Sequence, residues 1–458
     1  FVEVTRPFYS TRISLIAVCH LAQMTAQIDY VSVHLPRHYL PSVLNWIEYF
    51  YVVVLLALLT QGPVLKLWEG SGQSGSSVLE VTKYSTYLIF QLPAIVLLAR
   101  RGIPQNMLRG PVGLLLCFCG WMLLSTAWAT ASSYALVASV SLFVTCLAGL
   151  YIARSFTLLQ QLTLFLVAMQ PGLILSWYAV RNDWSGAVNF DENYWVGIYF
   201  NRNSFAPPAA LGFLAAGALA WILIVRRPRF WVPLTIVLAD VMLLNIGLLI
   251  RTKSSTSLGA IGVFIFVWGF WTIVRQVQRK TFISARQMLQ TIYPLFVLAI
   301  ILLTWIGFRF QKPLLGLFDN KLDFSGRTLL WRFSWDGFLD KPIFGWGWFS
   351  AWNTPNFFHE REFWWAISST TWSHSAIMDV LLGGGIVGAG LFVLAILWSG
   401  ARQLERVQTQ IAGQWTFAAT WFVLAAATQE SFVIGNHFMW LLLVAAMSGS
   451  RDDKITKF

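Results

Sequence analysis

Residues 325–348 read SGRTLLWRFSWDGFLDKPIFGWGW, and after an aromatic run the same segment closes with TTWSHS at 370–375. Arg327 stands at its head and His374 at its tail, where it meets the apolar run AIMDVLLGGGIVG. The segment stands out because its surroundings are so apolar. Of 458 residues, 57% are hydrophobic and only 11% charged, whereas soluble domains carry about 25% charged residues. The chain therefore reads as a membrane scaffold that holds one large loop over a charged substrate.

A hydrocarbon core about 30 Å thick needs about 20 apolar residues per helix. Runs of that kind lie at 43–59, 82–99, 112–129, 134–153, 159–179, 205–226, 230–250, 257–275, 289–308, 375–398, 414–429 and 431–449. The fold class is thus an all-α polytopic membrane protein of about twelve transmembrane helices. Short segments of alternating polarity, the mark of an outer-membrane barrel, are absent from the sequence. The expected organisation is an N-terminal cytoplasmic or interfacial segment (1–42), helices one to nine (43–308), a large external loop (309–373), helices ten to twelve (374–449) and a tail (450–458). Pro207–Pro208, inside the run at 205–226, is one candidate for a broken helix, with no matching element in the other half of the chain.

Charge sets the orientation. The formal net charge is +12, but the basic residues sit in short clusters between apolar runs, which argues for cytoplasmic loops and against nucleic acid as a partner. These clusters include Arg100/Arg101/Arg109, Arg226/Arg227/Arg229, Arg275/Arg279/Lys280/Arg286 and Arg402/Arg406. The alternate connections carry mixed charge, including Glu69, Asp183, Asp191, Glu192 and the acids of the long loop. The positive-inside rule then puts both termini in the cytoplasm and the loop on the outer face. Cys19, Cys117, Cys119 and Cys146 lie in or near apolar runs and read as packing residues.

The chain has no P-loop, HExxH, GxSxG or CxxC motif. What it offers is a set of ionisable residues on one side of the membrane: Arg202, Arg251 with Lys253, Arg327 and His374. Ser325 and Arg332 beside Arg327, together with Asp379 and Glu430, complete the candidate substrate contacts. Arginine matches phosphate oxygens in charge and geometry, so separate outer-face arginines suit a diphosphate. A histidine beside them suits proton removal from a hydroxyl. Each arginine taken alone reads first as a snorkelling anchor, and His374 alone suits an interfacial hydrogen bond as well as catalysis. Asp240, mid-span, reads either as functional or as a neutral, internally bonded carboxyl. The tryptophans of the loop, Trp346, Trp348, Trp352, Trp364, Trp365 and Trp372, read as membrane contacts or sugar-stacking surfaces, with membrane contact preferred.

At these residues the sequence resembles the O-antigen ligase and polymerase superfamily of bacterial envelope glycosyltransferases. Four stretches carry the resemblance: LLSTAWATASSYAL (123–136), NRNSFA (201–206), the SGRTLLWRFSWDGFLDKPIFGWGW loop and SHSAIMDVLLGGGIVG (373–388). Two positions depart from the family pattern, Thr252–Lys253 in place of a glycine after the first arginine and Ser375 in place of an asparagine after the histidine. The resemblance implies a GT-C-like fold in the bacterial inner membrane with the large loop in the periplasm. It also implies an enzyme that passes a glycan from a polyprenyl-diphosphate carrier to an acceptor hydroxyl on a lipid or glycan. The ligase branch does so with inversion and with neither metal nor other cofactor. Arg251 and Arg327 correspond to diphosphate-binding arginines and His374 to the essential histidine. A polymerase of the same superfamily is the near alternative. A small-anion transporter, for instance of bicarbonate, and a non-catalytic membrane subunit are the alternatives of other classes.

Overall fold

In the computed structural model the described residues are 43–63, 77–103, 105–280, 327–354, 372–407 and 411–449, with Phe357 and isolated positions between 287 and 298. They form helices α1 (Val43–Leu59), α2 (Ser77–Arg101), α3 (Pro111–Leu124), α4 (Ser132–Ser155), α5 (Leu158–Arg181), α6 (Arg202–Arg226), α7 (Trp231–Thr252), α8 (Ser255–Lys280), α9 (Arg327–Asp340), α10 (Ala376–Val407), α11 (Ile411–Ala427) and α12 (Phe438–Ser448). A small antiparallel hairpin between α5 and α6 pairs Val188 with Trp195 and Asn189 with Tyr194.

Six of the described helices are long and apolar enough to cross a membrane, at 132–155, 158–181, 202–226, 231–252, 255–276 and 376–404. The protein is therefore a multi-pass membrane protein. The expected span at 431–449 needs correction, because its helix is limited to the eleven residues Phe438–Ser448, about 16 Å long and too short to cross alone. The chain ahead of it is non-helical, and Asn436 N–H there donates to Thr145 Oγ1 of α4 at 2.9 Å, while Trp440 Nε1 within the short helix donates to the Leu142 carbonyl of α4 at 3.0 Å. The expected span at 289–308, most of the loop at 309–373 and the two terminal segments lie outside the described residues.

The chain divides into two compact units, one made of residues 1–79 and 156–258 and the other of residues 80–155 and 259–458. In the first, α6 packs between α5 and α7, and α1 packs on α5. A capping box starts α5: Thr157 Oγ1 accepts from Gln160 N–H while Gln160 Oε1 accepts from Thr157 N–H. Asn201 caps α6 by accepting from Ser204 N–H at 2.9 Å. The run at 205–226 forms one helix: α6 continues from Arg202 to Arg226 with Pro207 and Pro208 buried inside it. They lie in its second turn, where each forfeits one intrahelical hydrogen bond.

In the second unit α10 packs against α3, α9 and α11, and α12 against α4 and α11. The break in this protein is in α10. Gly385 adopts φ 61°, ψ −164°, a region open essentially to glycine alone. Such a break leaves carbonyls on one half-helix and N–H groups on the other without partners, which membrane interiors do not tolerate. Residues 342–347 supply those partners. Trp346 N–H donates to Leu382 O at 2.9 Å, and Gly347 N–H to Gly383 O at 3.0 Å. In return Ile386 N–H donates to Pro342 O at 2.8 Å. The Trp121 indole takes the carbonyl of Gly384 at 2.9 Å. Gly345 completes the fit, because a Cβ there would lie 2.6 Å from the Gly383 oxygen.

This insertion corrects the reading of the loop tryptophans. Trp348 and Trp352 are buried. Trp352 stacks on Phe333 of α9, and the Trp348 backbone N–H donates to Ser125 Oγ at 3.0 Å. Trp346 is half-buried against Phe357, under the Lys341 ammonium. They hold the loop to the helices. Trp364 and Trp365 lie outside the described residues.

The break generates a prediction. A Cβ on Gly385 would sit 2.3 Å from the Ile343 carbonyl oxygen, so Gly385→Ala is expected to cost about 1–3 kcal/mol. Thermal melting of detergent-solubilised protein measures this. The control is Gly390→Ala on the same helix, where a Cβ meets nothing within 4 Å, and it should melt at or above wild type.

Candidate active site

Arg327 is the first residue of α9. Arg327, Leu330, Ser334 and Gly337 follow helical spacing and share the buried face of α9. That face packs with Phe333 into a cluster with Ala351, Trp352, Phe357 and Leu382. The apolar contacts thus carry the guanidinium inward, where its side chain is only 11% exposed. A buried cation needs a partner, and the partner comes from the turn after α11. Arg327 Nη2 donates to Glu430 Oε1, and Nη1 lies 3.4 Å from Gln429 Oε1.

The other oxygen of Glu430 is 3.0 Å from His374 Nδ1. His374 precedes α10 in a left-handed conformation, φ 52°, which turns its ring out of the helical path. Its side chain is 26% exposed and that of Glu430 is 9% exposed, so the histidine is the accessible end of the chain Arg327–Glu430–His374. Trp372 packs edge-on against its ring. The Trp372 indole Nε1 also lies 3.3 Å from Nδ1, but the carboxylate is closer and can only accept, which favours the tautomer with the proton on Nδ1 and leaves Nε2 as an acceptor. This is a proton acceptor oriented by a carboxylate whose charge is balanced by arginine.

Asp379 is within the same unit. One of its oxygens accepts from Ser373 N–H at 2.9 Å, and the other accepts from Ser431 Oγ. Ser373 Oγ is in turn 2.9 Å from Ser334 Oγ on α9. Of the sequence-derived candidates, the structure brings together Arg327, His374, Glu430 and Asp379. Arg332 lies on the exposed face of α9, and Ser325 is outside the described residues.

Arg202, Arg251 and Lys253 form a group in the other unit. Arg202 pairs with Glu192 at 3.3 Å and lies over the Tyr194 ring. Arg251 lies over Trp195, and Lys253 Nζ donates to the Glu192 carbonyl at 3.0 Å. The turn carrying Arg251 and Lys253 is short, as its sequence implies: α7 ends at Thr252, Lys253 adopts the left-handed cap and α8 begins at Ser255. Ser254 Oγ ties this turn to Asn203 Oδ1 at 3.0 Å. Asp240 lies on the exposed face of α7, which removes the reading of an internally buried carboxyl.

The residues that sequence reading missed are Gln429, Ser373, Ser431 and Glu192 as partners. For the first three the signal was adjacency to a candidate, as Gln429 and Ser431 flank Glu430 and Ser373 stands next to His374, whereas Glu192 is ten residues from Arg202. Removing one member of a buried ion pair leaves the other charge uncompensated. Glu430→Leu should therefore lower stability by about 3–5 kcal/mol, and Arg327→Met with Glu430→Leu together should recover much of that loss. Thermal melting of the two single variants and the double variant completes the cycle.

Comparison with known families finds that residues 205–393 match the family model described as O-antigen ligase. The match contains Arg251, Lys253, Arg327, His374 and Asp379, while Arg202 and Glu430 fall outside it. No curated protein matches the chain.

Proposed function

We propose that the protein is a glycosyltransferase of the ligase type, a reading supported by the similarity of residues 205–393 to the family model described as O-antigen ligase. In this reading it moves a glycan from a polyprenyl-diphosphate carrier to an acceptor hydroxyl at the outer face of the bacterial inner membrane, with both termini cytoplasmic. The observation that carries the proposal is the chain Arg327–Glu430–His374, in which an accessible imidazole is oriented by a buried carboxylate.

The acceptor hydroxyl gives its proton to His374 Nε2 as its oxygen attacks the anomeric carbon. Glu430 stabilises the imidazolium that forms. The bond from the anomeric carbon to the diphosphate oxygen breaks, with inversion, and the electron pair leaves on the diphosphate. Arg327 is the cation of this site that favours the growing negative charge. On the resemblance, Arg251 takes the same role towards the donor, assisted by Lys253 and Arg202. No metal is required in this scheme, because the acid–base and charge-stabilising tasks fall to side chains. A polymerase would use the same groups on a glycan acceptor.

Transport is the weaker reading. Transporters with discontinuous helices present the ends of the half-helices to their cargo. Here the break in α10 is filled by backbone of residues 342–347.

The test is transfer of a lipid-linked glycan by purified protein in detergent. His374→Ala is expected to lower turnover by about 10²–10⁴-fold, and EDTA should change nothing. Unaltered transfer in His374→Ala, or its loss with EDTA, overturns the proposed mechanism. Arg251→Ala and Lys253→Ala are expected to weaken donor use while leaving melting near wild type, since both side chains are exposed.

A further inference from the structure

Two turns carry the proton-handling groups, and neither is helical. His374 sits in the left-handed turn before α10, and Glu430 sits in the turn after α11. Turns of this kind are the segments least able to hold a side chain still by themselves, yet the imidazole and carboxylate must keep a 3.0 Å contact. A second bridge runs beside it. Asp379, one turn into α10, accepts from the backbone N–H of Ser373, the residue before His374. Its other oxygen accepts from the hydroxyl of Ser431, the residue after Glu430. Asp379 thus grips both turns at the positions adjacent to the two functional residues.

We propose that Asp379 is the positioning residue of this site, a buried clamp that fixes the His374 turn against the Glu430 turn. This rests on the transferase reading above, and it assigns Asp379 no contact with substrate. Three features support it. Asp379 is 5% exposed, so it is poorly placed to meet a glycan. Both of its oxygens are committed to the two turns. Ser373 is also anchored through Ser334 to α9, the helix that begins with Arg327, so the clamp reaches the third member of the chain as well.

The clamp predicts a particular pattern of variants. Asp379→Leu removes both acceptors and should lower kcat by about 10–100-fold, the scale of a misplacement near 1 Å, with KM for the donor unchanged. Asp379→Asn should restore kcat to within about threefold of wild type. Its amide oxygen can accept from Ser373 N–H, and its NH₂ can donate to the Ser431 oxygen. A group needed for its charge, or for proton transfer of its own, would not be rescued by asparagine. Ser431→Ala cuts one arm without changing Asp379, and is expected to lower kcat by about 3–10-fold.

The experiment measures kcat, donor KM and melting temperature for these three variants, with His374→Ala in parallel, on monodisperse protein in detergent. Lowered kcat at constant KM in Asp379→Leu and Ser431→Ala, rescued in Asp379→Asn, supports the clamp. Should Asp379→Leu fail to fold, Ser431→Ala and Asp379→Asn still carry the test through the same two kinetic constants. Wild-type kcat in Ser431→Ala, or an Asp379→Asn variant as impaired as His374→Ala, overturns it. Wild-type turnover in His374→Ala refutes the transferase reading itself. Loss in His374→Ala with full activity in Asp379→Leu and Ser431→Ala refutes the clamp alone.

Discussion

The unit that contains His374 depends on one constraint, that no backbone polar group inside an apolar layer stays unpaired. Breaking α10 at Gly385 opens carbonyls at Leu382, Gly383 and Gly384, and an N–H at Ile386, within a helix long and apolar enough to cross a membrane, where unpaired backbone groups are costly. Residues 342–347 and the Trp121 indole take all four. The insertion is therefore an obligatory part of the helix, and the loop cannot leave without exposing these groups, each worth several kcal/mol in hydrocarbon. The FGWGW sequence follows from this demand. Gly345 must be small to pass the Gly383 oxygen, and Trp348 fills the space beside Phe118 of α3.

Pinning the loop places the site. The insertion begins at Pro342, two residues past the end of α9, so fixing it also fixes α9 against α10. The buried face of α9 then delivers Arg327 to Glu430, while the first half of α10 begins two residues after His374. Sequence positions 327, 374 and 430 meet because a loop was used as the missing piece of a helix. The shortness of α12 belongs to the same economy of chain. Residues 428–437 are left unwound to form the turn that presents Glu430 and Ser431, and α12 starts only where His437 caps it.

Much of this was legible in the sequence, and the limits have physical causes. Apolar runs give helices because their signal is local and long. The predicted runs at 134–153, 159–179 and 205–226 therefore correspond closely to α4, α5 and α6. Composition fails where helicity and apolarity part company, as at 431–437, which is apolar yet unwound. Arg327 and His374 were readable as candidates by residue type and position. Their link through Glu430 was not, because partners separated by 103 and 56 residues leave no period in the sequence. The tryptophans were misread for a related reason. A loop outside the apolar runs looks exposed until the break that it fills is known.

The charge arrangement itself argues for a site poised to change protonation. A buried arginine–glutamate pair is a poor way to gain stability, since apolar residues of similar size often serve as well or better. Here the pair shares its carboxylate with a histidine that is partly exposed. With the imidazole neutral, arginine and glutamate balance. When the imidazole gains a proton, the local charge becomes +1, with Glu430 already in contact to stabilise it. An incoming group that brings a proton and develops negative charge would offset that charge as it forms. A hydroxyl attacking a carbon bonded to a diphosphate has both properties. Neither a purely structural ion pair nor a fixed anion-binding site needs the histidine at its accessible end, and that requirement is what makes transfer the reading most consistent with the cluster.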